Sequence, residues 1–141
     1  MSATAKLGTI TIGQAPRPDI TPILERHLPP GIASVHAGLL DGLARGEIER
    51  RYAPRAGQAT LITRLLDGSS VVVDKAAMLA LLRQKIAALE AQGCAFVLVL
   101  CTGAFDDLRA ASAWLIEPDL IVSPTVAVLA GACLLYTSRC V

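Results

Sequence analysis

Aromatic side chains make up 4% of this 141-residue chain, and its charges nearly cancel, with 13 lysines and arginines against 12 aspartates and glutamates. Nucleic-acid binding needs a positive field for the phosphates and rings for the bases, and the composition offers neither. Histidine is scarce, with two in the whole chain, and the four cysteines at 94, 101, 133 and 140 form no CxxC pair and have no histidine at metal-ligand spacing. A zinc site and a disulfide framework are both excluded, and no metal is expected. The start, MSATAKLGTITIG, lacks the charged opening and hydrophobic middle of a secretion signal, which gives a cytoplasmic reading. The uncharged stretch Leu120 to Tyr136 is short for a membrane span and is interrupted by Pro124. It reads as a buried strand followed by a helix beginning at Thr125, and no membrane partner is expected.

What is there is apolar: 53% of positions are hydrophobic, enough for one core in one domain. Leu7 to Ile12 (LGTITI) is a short β-branched run stopped by Gly13, as a buried strand is. The loop QAPRPD leads to a helix over Ile20 to Leu28, with Asp19 expected to cap it and Pro22 tolerated in its first turn. Ile32 to Leu40 is strand-like, and Gly46 to Tyr52 reads as a short exposed helix. Thr60 to Leu66 and Ser70 to Asp74 flank Asp67-Gly68, which predicts a tight hairpin with positive φ at both residues. Asp74 then caps a helix over Lys75 to Gln92, whose Met78, Leu79, Leu82, Ile86 and Leu89 form a stripe at helical spacing. Ala95 to Leu100 is apolar on both faces, as in a central parallel strand. The expected architecture is α/β, a doubly wound and mainly parallel sheet with a β-hairpin insertion.

Ligands of open parallel sheets collect beyond the carboxyl ends of the strands. Two loops meet that description: Gly13-Gln14-Ala15-Pro16-Arg17 after the first strand and Cys101-Thr102-Gly103 after the central one. If the two strands are neighbours, the Cys101 thiol faces a crevice lined by loop N–H groups, the Thr102 hydroxyl and the Arg17 guanidinium, which together make a carboxylate pocket. A thiol beside the N-terminus of a following helix is shifted toward thiolate, a nucleophile or a general base, whereas Asp106 and Asp107, expected to open that helix, push the other way. The same Cys101 also reads as a small hydrophobe at a core margin. Cys94 is an odd number of residues away and is expected on the opposite face.

Several motifs in order resemble one family. TIGQAPRPDI at the start, GLLDGL at 38 to 43, YAPRAGQATLITRLLDGSSVVVDK at 52 to 75 and VLVLCTGAF at 97 to 105 look like the AroM family, bacterial proteins often encoded beside shikimate-pathway genes. That family resembles the aspartate/glutamate racemases, in which two similar α/β halves enclose a cleft, each half supplies a cysteine, and a proton moves without a cofactor. The resemblance implies Cys101 as the first-half cysteine, with Thr102 and Gly103 beside it and Gly13, Gln14 and Arg17 in the substrate-binding loop.

It also implies a second α/β half. The last nine residues, CLLYTSRCV, read instead as a translated sequencing adapter: TGT CTC TTA TAC ACA TCT encodes Cys-Leu-Leu-Tyr-Thr-Ser, and its inverted copy encodes Arg-Cys-Val and a stop. The expectation is an AroM-like N-terminal half over 1–132, a non-native tail over 133–141, and a gene that runs on. Two functions follow for the intact protein. One is a cofactor-independent racemase or isomerase-like enzyme using Cys101 on a small carboxylate; the other is a non-catalytic protein binding a small carboxylate linked to aromatic metabolism. The chain alone is expected to be inactive, and its expected partners are the carboxylate, the missing half and a second copy of itself.

Overall fold

The computed structural model describes residues 5–137, the last six of them by backbone alone; the expected tail therefore falls partly on that backbone, and 138–141 lie outside the described residues. Strand β1 (Lys6–Thr11) is the centre of the molecule, buried from Leu7 onward. It pairs in parallel with β2 (Ala33–Gly38) on one side, through Thr11↔Gly38 at the carboxyl end. The connection between them carries helix α1 (Thr21–His27), and after β2 comes α2 (Arg45–Tyr52). The hairpin β3 (Thr60–Arg64) and β4 (Ser70–Asp74) forms a separate antiparallel sheet, with Ile62 opposite Val72. Helix α3 (Lys75–Ala91) leads into β5 (Phe96–Leu100), which returns to β1 in parallel with Thr11 opposite Leu100. Strand β6 (Trp114–Ile116) adds a parallel edge, giving the order β2-β1-β5-β6, and α4 (Pro118–Thr137) follows. The fold is mixed α/β, a parallel four-stranded sheet flanked by helices plus a hairpin, as the sequence implies.

The core forms because α3 presents Met78, Leu82, Ile86 and Leu89 to the sheet residues Ile10, Val97 and Val99, and all seven are essentially buried. A fully buried side chain of this size contributes roughly 1.5–3 kcal/mol. Asp74 caps α3 as expected, accepting from the N–H groups of Ala76 and Ala77 at 3.2 and 3.4 Å. The other face of the sheet is covered in part: α1 buries no residue fully, and Leu98 and Leu100 are half-buried. A buried polar group there is satisfied. The Thr9 hydroxyl sits 2.8 Å from His36 Nδ1, while Nε2 lies 3.2 Å from Glu25 Oε1. The carboxylate can only accept, so Nε2 donates to Glu25, and in the neutral ring Nδ1 accepts from the Thr9 hydroxyl.

Five local expectations are corrected. Asp19 does not cap α1, whose N-cap is Ile20 without a side-chain bond, because the Asp19 carboxylate is taken by Arg17. The hairpin turn has positive φ only at Gly68: Leu65 N–H donates to the Ser69 carbonyl and Gly68 N–H to the Leu65 carbonyl, a three-residue loop with glycine in the left-handed position. Helix α2 is not simply exposed, since Ile48 is fully buried. Asp106 and Asp107 open no helix; residues 101–113 are irregular and pinned to the core by Phe105 and Leu108. Leu120 to Tyr136 holds no strand but lies within the single helix α4, with Pro124 inside it, and the strand of this region is Trp114–Ile116. The β-branched residues that read as strand sit after Pro118, which opens a helix without loss because its missing N–H would have no partner there.

Candidate functional site

Because β1 and β5 are hydrogen-bonded neighbours, the loops leaving their carboxyl ends meet. Between them opens a cavity of about 530 Å³, within the size range of small-molecule sites. Cys101 and Thr102 line it from the β5 side and Arg17 and Asp19 from the loop after β1. The hairpin closes a further side with Thr63, Arg64 and Ser70. The rest of the wall is aliphatic, made by Ile12, Ile20, Ile62, Leu100 and Pro118.

Of the six residues picked from sequence, Cys101, Thr102 and Arg17 come together in this cavity, while Gly13, Gln14 and Gly103 stand behind its wall. Gly13 is buried under the hairpin: a Cβ there would run into the Arg64 carbonyl oxygen and would meet Thr63 Oγ1 at 2.7 Å. Gly103 on the other loop is less confined, since a Cβ would lie 3.3 Å from the Leu61 side chain and 3.4 Å from Cys101 Sγ. Gln14 ties three segments together. Its Nε2 donates to the carbonyls of Leu43 at 2.9 Å and Leu40 at 3.3 Å, and its Oε1 accepts from Leu66 N–H at 2.9 Å. Asp41 completes the brace, accepting from Gly38 N–H at 2.7 Å and Ala15 N–H at 2.8 Å.

The Cys101 sulfur is half-buried and accepts from the Gly103 N–H at 3.3 Å. With no helix following the strand, that single N–H stands where a helix N-terminus was expected. Cys94 is elsewhere, 4% exposed beside Gly8 and Leu89, and burial pushes its thiol up. Arg17 engages Asp19 with both prongs, Nε to Oδ1 at 2.8 Å and Nη2 to Oδ2 at 2.6 Å. That hydrogen-bonded pairing holds Asp19 down at about 2 and raises Arg17. Arg64, which spacing does not single out, is exposed and makes no ion pair among the described residues. It reaches the site through the folding of the hairpin over the sheet end, and an arginine in a β-ribbon carries no local signal of that. No cluster of three metal-ligating side chains occurs among the described residues.

The family profile described as AroM protein matches residues 7–135. The chain belongs to the AroM family. No curated protein and no solved structure matches it. The AroM match runs from Leu7 in β1 into α4, and includes both loops of the cavity and the hairpin that closes it. Among the described residues of this AroM chain, no helix is long and apolar enough to cross a membrane.

Proposed function

We propose that the cavity binds a small carboxylate and that Cys101 acts on it as an acid/base or nucleophile in a cofactor-independent, isomerase-like reaction. The observation that carries this reading is the shared lining: one thiol and two guanidinium groups face one cavity at the carboxyl ends of adjacent parallel strands. A guanidinium supplies directional donors for a carboxylate, and a thiolate held nearby can take a proton from the carbon beside it. Proton delivery to the opposite face needs a second acid, which fits a second α/β half as partner.

A non-catalytic carboxylate-binding protein is the second reading. One feature favours it: the other titratable groups lining the cavity are Arg17, Asp19 and Arg64, and Asp19 is bound to Arg17. Alkylation of the chain with iodoacetamide near neutral pH, followed site by site by peptide mass spectrometry, decides between the two. A reactive Cys101 labels far faster than Cys94 and is protected by small carboxylates. Equal and slow labelling removes the catalytic role, and absence of protection removes the carboxylate site.

A further inference from the structure

We infer that Arg64, on the hairpin, is the anchor for the ligand carboxylate, and that the ligand is a monoanion with an aliphatic body. The inference rests on the carboxylate reading above and specifies its chemistry. Arg17 commits its Nε and Nη2 edge to Asp19, at 2.8 and 2.6 Å, and that carboxylate already balances its charge, so a ligand carboxylate gains less from Arg17 than from an arginine whose charge is unpaired. Arg64 lines the same cavity with no ion-pair partner among the described residues, and its field is felt at Asp19. It offers a bidentate donor set that nothing in the described structure has taken.

Charge fixes the valence of the ligand. With the Cys101 sulfur in its thiol form, two arginines and one aspartate leave the lining a single positive charge in excess, which one carboxylate neutralises. A second carboxylate would find no second unpaired cation among the lining side chains, only the hydroxyls of Thr63, Ser70 and Thr102, with Asp19 repelling it and the wall of Ile12, Ile20, Ile62 and Leu100 offering no donor. A charge held there by hydroxyls alone lacks the charge-assisted, two-pronged pairing that an arginine gives. The same wall accepts a branched or cyclic hydrocarbon body.

Iodoacetate and iodoacetamide test this without knowledge of the natural ligand. In both, the Cys101 sulfur displaces iodide from the methylene carbon, forming an S–C bond as the C–I bond breaks, but only iodoacetate brings a carboxylate. The quantity read is the iodoacetate-to-iodoacetamide rate ratio at Cys101, normalised to the same ratio for free N-acetylcysteine. The full chain is expected to show a normalised ratio well above one. Arg64→Gln lowers it by about tenfold, the low end of what a charge-assisted hydrogen bond contributes, while the far-UV circular dichroism stays the same; the ratio cancels any change in thiolate fraction, which acts on both reagents alike. Arg64→Lys, which keeps the charge and loses the fork, falls between. 4-Methylpentanoate protects Cys101 at lower concentration than succinate does.

A ratio that falls in Arg17→Gln and not in Arg64→Gln overturns the assignment of Arg64 and leaves the carboxylate site standing. Protection by succinate at the lower concentration overturns the monoanion. A normalised ratio of one in the unsubstituted chain removes the carboxylate site itself, and this inference with it.

Discussion

Arg17 and Asp19, two residues apart, close a bidentate ion pair at 2.8 and 2.6 Å on the rim of the cavity, with 18% and 43% of their side chains exposed. The hydrogen bond from Arg17 is the main reason the Asp19 carboxylate is held at about 2 rather than 3.8. A carboxyl group with a depressed pKa adds stability that is complete above its unfolded value and fades as pH falls toward its folded one. The window here runs from about 3.8 down to about 2, so the pair is intact throughout neutral and mildly acidic solution. Following the Asp19 carboxyl carbon by NMR should give a midpoint near the lower figure, moving up toward 3.8 in Arg17→Gln. A midpoint unchanged by that substitution would show that the pair does not form in solution. The stability involved is small, because exposed ion pairs are screened.

Glu90, near the end of α3, holds the loop that carries Cys101. Its Oε1 accepts from Ser112 N–H at 2.6 Å, Ala113 N–H at 2.8 Å and Ser112 Oγ at 3.1 Å. The Ala113 and Ser112 N–H bonds keep its pKa at about 2, below the ordinary 4.5. Protonation removes the charge those donors point at, so the loop should loosen as pH falls from 4.5 toward 2 and stay fixed above that. In Glu90→Gln, hydrogen exchange at Ser112 and Ala113 should accelerate by about tenfold at neutral pH, with the amides of β1 unaffected. Equal exchange in the two proteins would mean that the loop is held by Phe105 and Leu108 alone.

How much of this was readable in the sequence depends on the range of the interaction that decides each feature. Asp74 as a cap and the stripe from Met78 to Leu89 follow from local pattern, and the structure has both; the pairing of β1 with β5 was only a condition of the site reading, and the sheet meets it. The irregular path of 101–113 was hidden because Asp106-Asp107 after a strand reads as the opening of a helix, whereas the contact that fixes the path comes from Glu90 on another element. Asp19 looked like a cap, but it stands one residue before the N-cap Ile20, and its carboxylate is taken by Arg17. Arg64 was out of reach entirely, since only the hairpin's placement over the sheet end brings it to the cavity.

Leu82 lies at the middle of the α3 stripe and is completely buried. Leu82→Ala should reduce unfolding free energy by about 2–5 kcal/mol, the transfer free energy of the lost methyl and methylene groups plus the cavity left behind. Urea denaturation would show this as a lower midpoint at unchanged slope. Loss of less than about 1 kcal/mol would mean that α3 does not pack on the sheet as described.

Gly13 separates a packing role from a binding role for the loop after β1. The obstacle to a side chain there is the Arg64 carbonyl, a backbone atom, with Thr63 Oγ1 at 2.7 Å behind it, so the hairpin itself has to move. Gly13→Ala should therefore destabilise the chain by about 1–3 kcal/mol, the usual cost of overpacking, and lift β3 away from the cysteine turn. Iodoacetamide should then label Cys101 faster, with Cys94 unchanged in its buried place beside Gly8. Gly103→Ala is the control, because its nearest obstacle is the end of the Leu61 side chain at 3.3 Å, which can rotate aside. It should cost well under half as much. If both glycines respond alike, or if Gly13→Ala leaves stability and labelling untouched, the hairpin does not rest on the β1 loop, and Arg64 loses the contact that brings it to the cavity.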